Sequence, residues 1–218
     1  MSDLEVVDIS TDLERCRCFW PGDQGVSIVT QEDDSHSVAV SRIDMSCHTG
    51  THIDTPYHIN KREIDPRFLS LGRLVGRAHL ARLPSSTREI TREILSALNL
   101  PTSLRRLLLS TANSQEGVMQ KPFSNDYAGL TEDGAAWLVD NKVELIGLDG
   151  PSFAVPRSSG AVHRLVLEAG ITVIEGLTLT EIREGEYLLC CLPLPISRLD
   201  GIPCRAVLIE YDVFSKTK

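Results

Sequence analysis

Residues 48 to 58 read His-Thr-Gly-Thr-His-Ile-Asp-Thr-Pro-Tyr-His, and the four groups able to hold a cation, His48, His52, Asp54 and His58, all stand at even positions. Residues of one parity share a face only in an extended chain. On a helix, Asp54 would lie about 200° around the axis from His52. Gly50, Thr51, Ile53, Thr55 and Pro56 are also poor helix formers. An ideal strand does not suffice either, because four residues of strand span about 13 Å, near the limit for two imidazoles on one ion. The segment is therefore expected to be extended, bent at Gly50 and turned again at Pro56 ahead of His58. Imidazole and carboxylate groups converging on one face suit a catalytic zinc or manganese, whereas structural zinc more often uses cysteine. A lone histidine is usually a hydrogen-bonded core or surface residue, but three with an aspartate on one face favour the metal. Cys47, beside His48, is expected to face the other way.

The remaining composition bounds the fold and the partners. A length of 218 residues suits one domain, residues 1 to 218, with a full core. Hydrophobic residues make up 42% and charged residues 24%, as in an ordinary globular protein. The net charge of −8, without a dense basic stretch, argues against a nucleic-acid partner. Apolar runs are too short to span a membrane, and the acidic start MSDLEVVDIS lacks a signal-peptide pattern. Six cysteines with no CxxC pair read as reduced thiols in a cytoplasmic protein.

Strand and helix signals alternate along the chain. Strands are expected at Val6 to Ser10, Ser37 to Met45, Leu74 to Leu83, Leu107 to Leu109, Val143 to Leu148, Ile171 to Glu175, Tyr187 to Leu192 and Arg205 to Tyr211. Trp20-Pro21-Gly22-Asp23 reads as a turn. Ser86-x-x-Glu89 has the form of a capping box ahead of Ile90, Ile94, Leu95 and Leu98 at helical spacing. Gly117 to Asn125 looks like an exposed loop. Thr131, followed by Glu132 and Asp133, opens a helix running to about Asn141. Ser158 or Ser159 is expected to cap a helix from about Gly160 to Ala169, with Gly170 as its stop. Strands mixed with single helices indicate an α/β domain with a mixed sheet or barrel flanked by helices.

A second pair of polar residues lies in this pattern. Ile171, Val173 and Glu175 share one strand face, so Glu175 is carried inward, where a carboxylate needs a partner or a metal. His163 has Val166 and Leu167 three and four positions on and leans toward the apolar side of its helix. By spacing alone these are either a hydrogen-bonded core histidine and an edge glutamate, or a second metal position.

His48, Gly50, Thr51, His52, Asp54, Pro56 and His58 match the motif His-x-Gly-Thr-His-x-Asp-x-Pro-x-His, and through them the chain resembles the cyclase or kynurenine formamidase family. The resemblance extends to Trp20-Pro21-Gly22-Asp23, the stretch Gly129 to Gly147, Ile174-Glu175-Gly176 and Arg205-Ala206-Val207-Leu208. It implies a swivelling β/β/α fold, a homodimer and a site with two zinc ions, or a single manganese as in some relatives. It further implies that His48 and His52 bind one metal, that Asp54 bridges both, and that His163 and Glu175 serve as second ligand and second bridge. His58 then resembles the proton donor and acceptor, and Trp20 an aromatic wall for the substrate ring. Without the resemblance, Trp20 reads equally as a hydrophobic plug. Asp149-Gly150-Pro151-Ser152 and the residues to Ser159 depart from the family's patterns, which leaves the substrate open.

The activity implied is hydrolysis of N-formyl-L-kynurenine to L-kynurenine and formate, a step of tryptophan breakdown. A metal-activated hydroxide would attack the formyl carbon and His58 would protonate the aryl nitrogen. Two alternatives stand beside it: opening of a cyclic amide such as isatin, or an ester, by the same groups, and a metal-binding protein without turnover.

Overall fold

Runs of Leu, Ile and Val without polar alternation mark strands buried on both faces, the signature of a parallel sheet covered by helices. The computed structural model describes residues 5–33, 38–60, 69–158, 160–196 and 198–210. In chain order its elements are β1 (Val6–Asp8), β2 (Ser27–Asp33), β3 (Val38–Asp44), β4 (His52–Asp54), α1 (Tyr57–Asn60), α2 (Leu71–Leu74), β5 (Val75–Arg82), β6 (Glu89–Ile90) and α3 (Arg92–Ala97). There follow β7 (Arg106–Ser110), α4 (Ala112–Gln115), β8 (Gly129–Leu130), α5 (Glu132–Asp140), β9 (Leu145–Leu148), α6 (Ala161–Glu168), β10 (Thr172–Glu175), β11 (Gly185–Pro193) and β12 (Gly201–Glu210).

The main sheet runs β1-β12-β11-β5-β7-β9-β10-β4, and β4 also pairs with β12. That extra pairing closes seven strands into a ring, with β1 added outside β12. Strands β5, β7, β9 and β10 pair in parallel and the others antiparallel. The expected mixed α/β barrel flanked by helices is the fold observed. Leu107, Leu108, Leu109, Ile146, Leu148, Val173 and Ile174 form the core with Leu138, Val162 and Val166 from the covering helices. Among the described residues, no helix is long and apolar enough to cross a membrane, and all six cysteines are free.

Local signals held where nothing competed with them. The Thr131 hydroxyl accepts from the Gly134 N–H and caps α5. Gly170 ends α6 at φ +76°.

Other expectations are corrected. Ser86 does not cap α3; Thr91 does, accepting from the Ile94 N–H. The backbone of Glu89 and Ile90 pairs instead with Gly129 and Leu130, and this tertiary ladder overrides the capping box. The N-cap of α6 is Gly160, with no side-chain cap bond. Val38 to Asp44 forms a strand, but among the described residues it pairs only with β2, for which no expectation was made, and it stands fully exposed. Within Gly117 to Asn125, Val118–Gln120 makes a 3-10 turn that buries Met119. The last strand starts at Gly201 rather than Arg205. The opening residues MSDL and residues His36, Ser37, Ser159 and Tyr211 lie outside the described residues.

The closure of the ring builds the polar site. Antiparallel pairing of β4 with β10 sets His52 opposite Glu175 and Asp54 opposite Val173. Directly opposed residues share a face, so His52, Asp54 and Glu175 project together. Pairing of β4 with β12 sets Gly201 opposite Asp54 and brings Asp200 to the same end.

Candidate metal centre

Gly50 makes the bend that the spacing requires, with φ +67°. Only His52–Asp54 is strand; His48 lies on the preceding turn. The Thr51 hydroxyl fastens that turn, donating to the Gly176 carbonyl at 2.6 Å and accepting from the Thr11 N–H at 2.8 Å. His48 thereby folds back over His52. Their facing nitrogens, Nδ1 of His48 and Nε2 of His52, are 3.1 Å apart. Asp54 Oδ1 lies 3.1 Å from the first and 3.3 Å from the second. Ligand atoms around a tetrahedral zinc, each about 2.0–2.1 Å from it, stand about 3.3–3.4 Å from one another. This triad has the dimensions of three corners of such a site.

The other Asp54 oxygen serves a different imidazole. Oδ2 lies 3.7 Å from His163 Nε2, which is 3.6 Å from Glu175 Oε1. Glu175 Oε2 faces His52 Nε2 at 3.3 Å. Both carboxylates thus straddle the space between the pair His48/His52 and His163. Asp54 is buried, and neither of its oxygens has a hydrogen-bond partner. A buried carboxylate left this way is costly and calls for a cation. The donor set of nitrogens and carboxylate oxygens fits zinc or manganese.

Neighbouring groups fix the imidazoles. His52 Nδ1–H donates to the Gly50 carbonyl at 3.0 Å, which leaves the Nε2 lone pair for the cradle. His48 Nε2–H donates to Asp200 Oδ2 at 3.2 Å, which leaves Nδ1 inward. Glu175 Oε1 accepts from the Phe153 N–H at 2.7 Å and the Ser152 hydroxyl at 3.2 Å. Asp149 holds the loop that carries these two, accepting from the Thr111 N–H and hydroxyl. The stretch that departs from the family pattern is therefore the stretch that orients Glu175.

Electrostatics follow from this crowding. Burial alone would push His52 down, but Asp54 and Glu175 override it and hold its pKa well above the ordinary value. Burial would push Asp54 up, but His48 and His52 hold it well below. The cradle therefore attracts positive charge strongly.

His58 sits on α1, where the turn at Pro56 puts it. Its ring centroid lies 4.5 Å from that of His48 and 5.7 Å from that of His163. His58 is exposed at the cavity, and the partial burial of its ring, with the neighbouring histidines, pushes its pKa down. Trp20 is half exposed, stacks on Phe123 at 4.5 Å and lines the same cavity of about 500 Å³. His48, Asp54, His58, His163 and Glu175 open into that cavity, joined by Tyr127, Ser152, Arg164 and Asp200. Asp200 and Arg164 had no signal in the sequence, because an Asp-Gly pair reads as a turn and a single Arg reads as surface; Ser152 lay in the stretch that departs from the family's patterns, with no role of its own assigned.

A sequence model of the Cyclase family, described as "Putative cyclase", matches residues 7–155. "Cyclase-like protein 3" of Arabidopsis thaliana is 32% identical over 219 residues, covering 95% of this chain and 80% of that protein. "Kynurenine formamidase" of Bacillus thuringiensis (strain Al Hakam) is 34% identical over 214 residues, covering 95% of this chain and 99% of that protein. The solved structure of a "predicted metal-dependent hydrolase from Bacillus stearothermophilus" matches with a TM-score of 0.80 at 27% identity, over 96% of this chain and 100% of that one.

Proposed function

The chain belongs to the cyclase family, and from that premise we propose that it is a metal-dependent amidohydrolase acting on aryl formamides, with N-formyl-L-kynurenine as the working substrate. The observation that carries this reading is Asp54, buried with no hydrogen-bond partner on either oxygen, each oxygen facing an imidazole from a different element. His48, His52 and Asp54 would hold one zinc; His163, Asp54 and Glu175 would hold a second, with manganese the other candidate. Such ions supply Lewis-acid polarisation and a water ionised near neutral pH.

The chain's own residues do the remaining work. His58, its pKa pushed down from the ordinary value, takes a proton at one ring nitrogen and delivers it to the aryl nitrogen as that bond breaks. An anilide nitrogen leaves poorly until protonated, so this step decides the rate. Trp20, backed by the ring of Phe123, offers an aromatic wall to the substrate ring. The products are L-kynurenine and formate.

The test is hydrolysis of N-formyl-L-kynurenine by the full chain reconstituted with zinc or manganese, with His58→Ala as the comparison. Metal-dependent turnover that falls about 100-fold or more in the variant, with metal content unchanged, is expected. Loss of metal from the variant would make His58 a ligand. Metal binding without turnover would refute the formamidase and direct attention to cyclic amides such as isatin.

A further inference from the structure

Arginines on this acidic chain are mostly spoken for. Arg88, Arg92, Arg105, Arg157 and Arg205 each pair with a carboxylate. The guanidinium groups of Arg73, Arg82 and Arg106 donate to backbone carbonyls. Arg164 differs. It is the one Lys or Arg among the described residues that line the metal cavity, and no carboxylate there pairs with it. The cavity's acids are otherwise engaged. Asp54 and Glu175 face the imidazoles, Asp200 accepts from His48, and Asp23 accepts from the Ser46 hydroxyl.

Its place in α6 sets what it can reach. Arg164 directly follows His163, about 100° further around the helix. His163 Nε2 points at Asp54 and Glu175, so Arg164 borders the same cavity on its exposed side. A substrate whose amide lies at the cradle occupies a cavity whose lining includes this residue. Guanidinium presents a planar fork that binds carboxylate with two parallel hydrogen bonds. A chain of net charge −8 repels an anionic substrate at long range, and a local cation at the cavity counters this.

We propose that Arg164 is a specificity residue that binds a carboxylate on the substrate, so that the enzyme selects aryl amides carrying an acid group beyond the reacting amide. The assignment rests on the amidohydrolase reading above.

The test compares two 2-formamidophenyl ketones, N-formyl-L-kynurenine and 2-formamidoacetophenone, which lacks both the carboxylate and the α-ammonium. The control that assigns the preference to the acid group is 4-(2-formamidophenyl)-4-oxobutanoate, which keeps the carboxylate alone. In the zinc-loaded wild type, kcat/KM favours the acid. In Arg164→Gln that preference falls about tenfold, mostly through KM, and Arg164→Lys keeps part of it. An unchanged ratio in Arg164→Gln overturns the proposal. Binding of the products L-kynurenine and 2-aminoacetophenone, followed by tryptophan fluorescence, separates the two readings. If neither formamide is turned over but L-kynurenine binds more tightly than 2-aminoacetophenone only while Arg164 is present, the formamidase reading fails and the carboxylate subsite stands. If turnover occurs and the products bind alike with or without Arg164, the subsite fails and the formamidase reading stands.

Discussion

The ring of His48 lies against the backbone of Gly201, and that contact allows a sharp perturbation. A Cβ at residue 201 would stand 2.9 Å from His48 Cε1 and 3.0 Å from both ring nitrogens. Gly201 is not among the positive-φ residues, so Gly201→Ala strains no dihedral and acts through this clash. Non-bonded carbons settle at about 3.5–4.0 Å, so the ring must retreat by about 0.5–1 Å. Metal ligation tolerates only about 0.2 Å. His48 Nδ1 therefore leaves the triad, and Nε2 loses its 3.2 Å bond to Asp200. Removing one of three protein ligands should weaken zinc binding at least about 100-fold, which is about 2.7 kcal/mol. Competition with a chromogenic chelator measures this directly. The metal-free chain should lose only the overpacking cost of about 1–3 kcal/mol in thermal unfolding. In a His48→Ala background the substitution should cost little further affinity, because its target is gone. Unchanged zinc affinity in Gly201→Ala would refute the reasoning. An equal loss in both backgrounds would place the effect in the β12–β4 pairing instead of the His48 ring.

Three further outcomes are expected. Asp200→Ala should lower zinc affinity about 10- to 100-fold by freeing the His48 ring, with full metal content recovered at saturating zinc; an unchanged affinity would show that Asp200 does not orient His48. Asp54 and Glu175 raise the His52 pKa, so zinc must displace a proton there. Affinity should then fall as pH drops from about 8 to about 6, with protons released on binding in a pH-stat, and a pH-independent affinity would contradict the cradle's electrostatics. Thr131→Ala removes the cap of α5 and should cost about 1 kcal/mol, or about 2–4 °C in Tm, with kcat/KM unaltered.

Individual residues show how far the sequence could be read. The even-position rule holds only for His52 and Asp54 on β4, since His48 lies on a turn and His58 on α1, while the demand for a bend located the positive φ of Gly50. Leu107 to Leu109 and Val143 to Leu148 were legible as buried strands because apolar residues dominate them, and the second strand starts at Leu145, just past Glu144. Ser86 misled because its capping pattern is real, yet Glu89 and Ile90 gain more from pairing with β8. The exposed hairpin of β2 and β3 half escaped, since its first strand alternates weakly.

By itself, then, the sequence determined most of the buried strands, the bend at Gly50, a clustering of groups with metal-binding chemistry and that the class is mixed α/β. These follow from periodicity, backbone freedom and ligand chemistry, which act within a few residues. Only the tertiary structure decided that β4 pairs with both β10 and β12. That closure sets Glu175 opposite His52 and brings Asp200 to His48 from 152 residues away. Strand pairing is a contest among distant partners, settled by packing of the whole ring rather than by any local pattern.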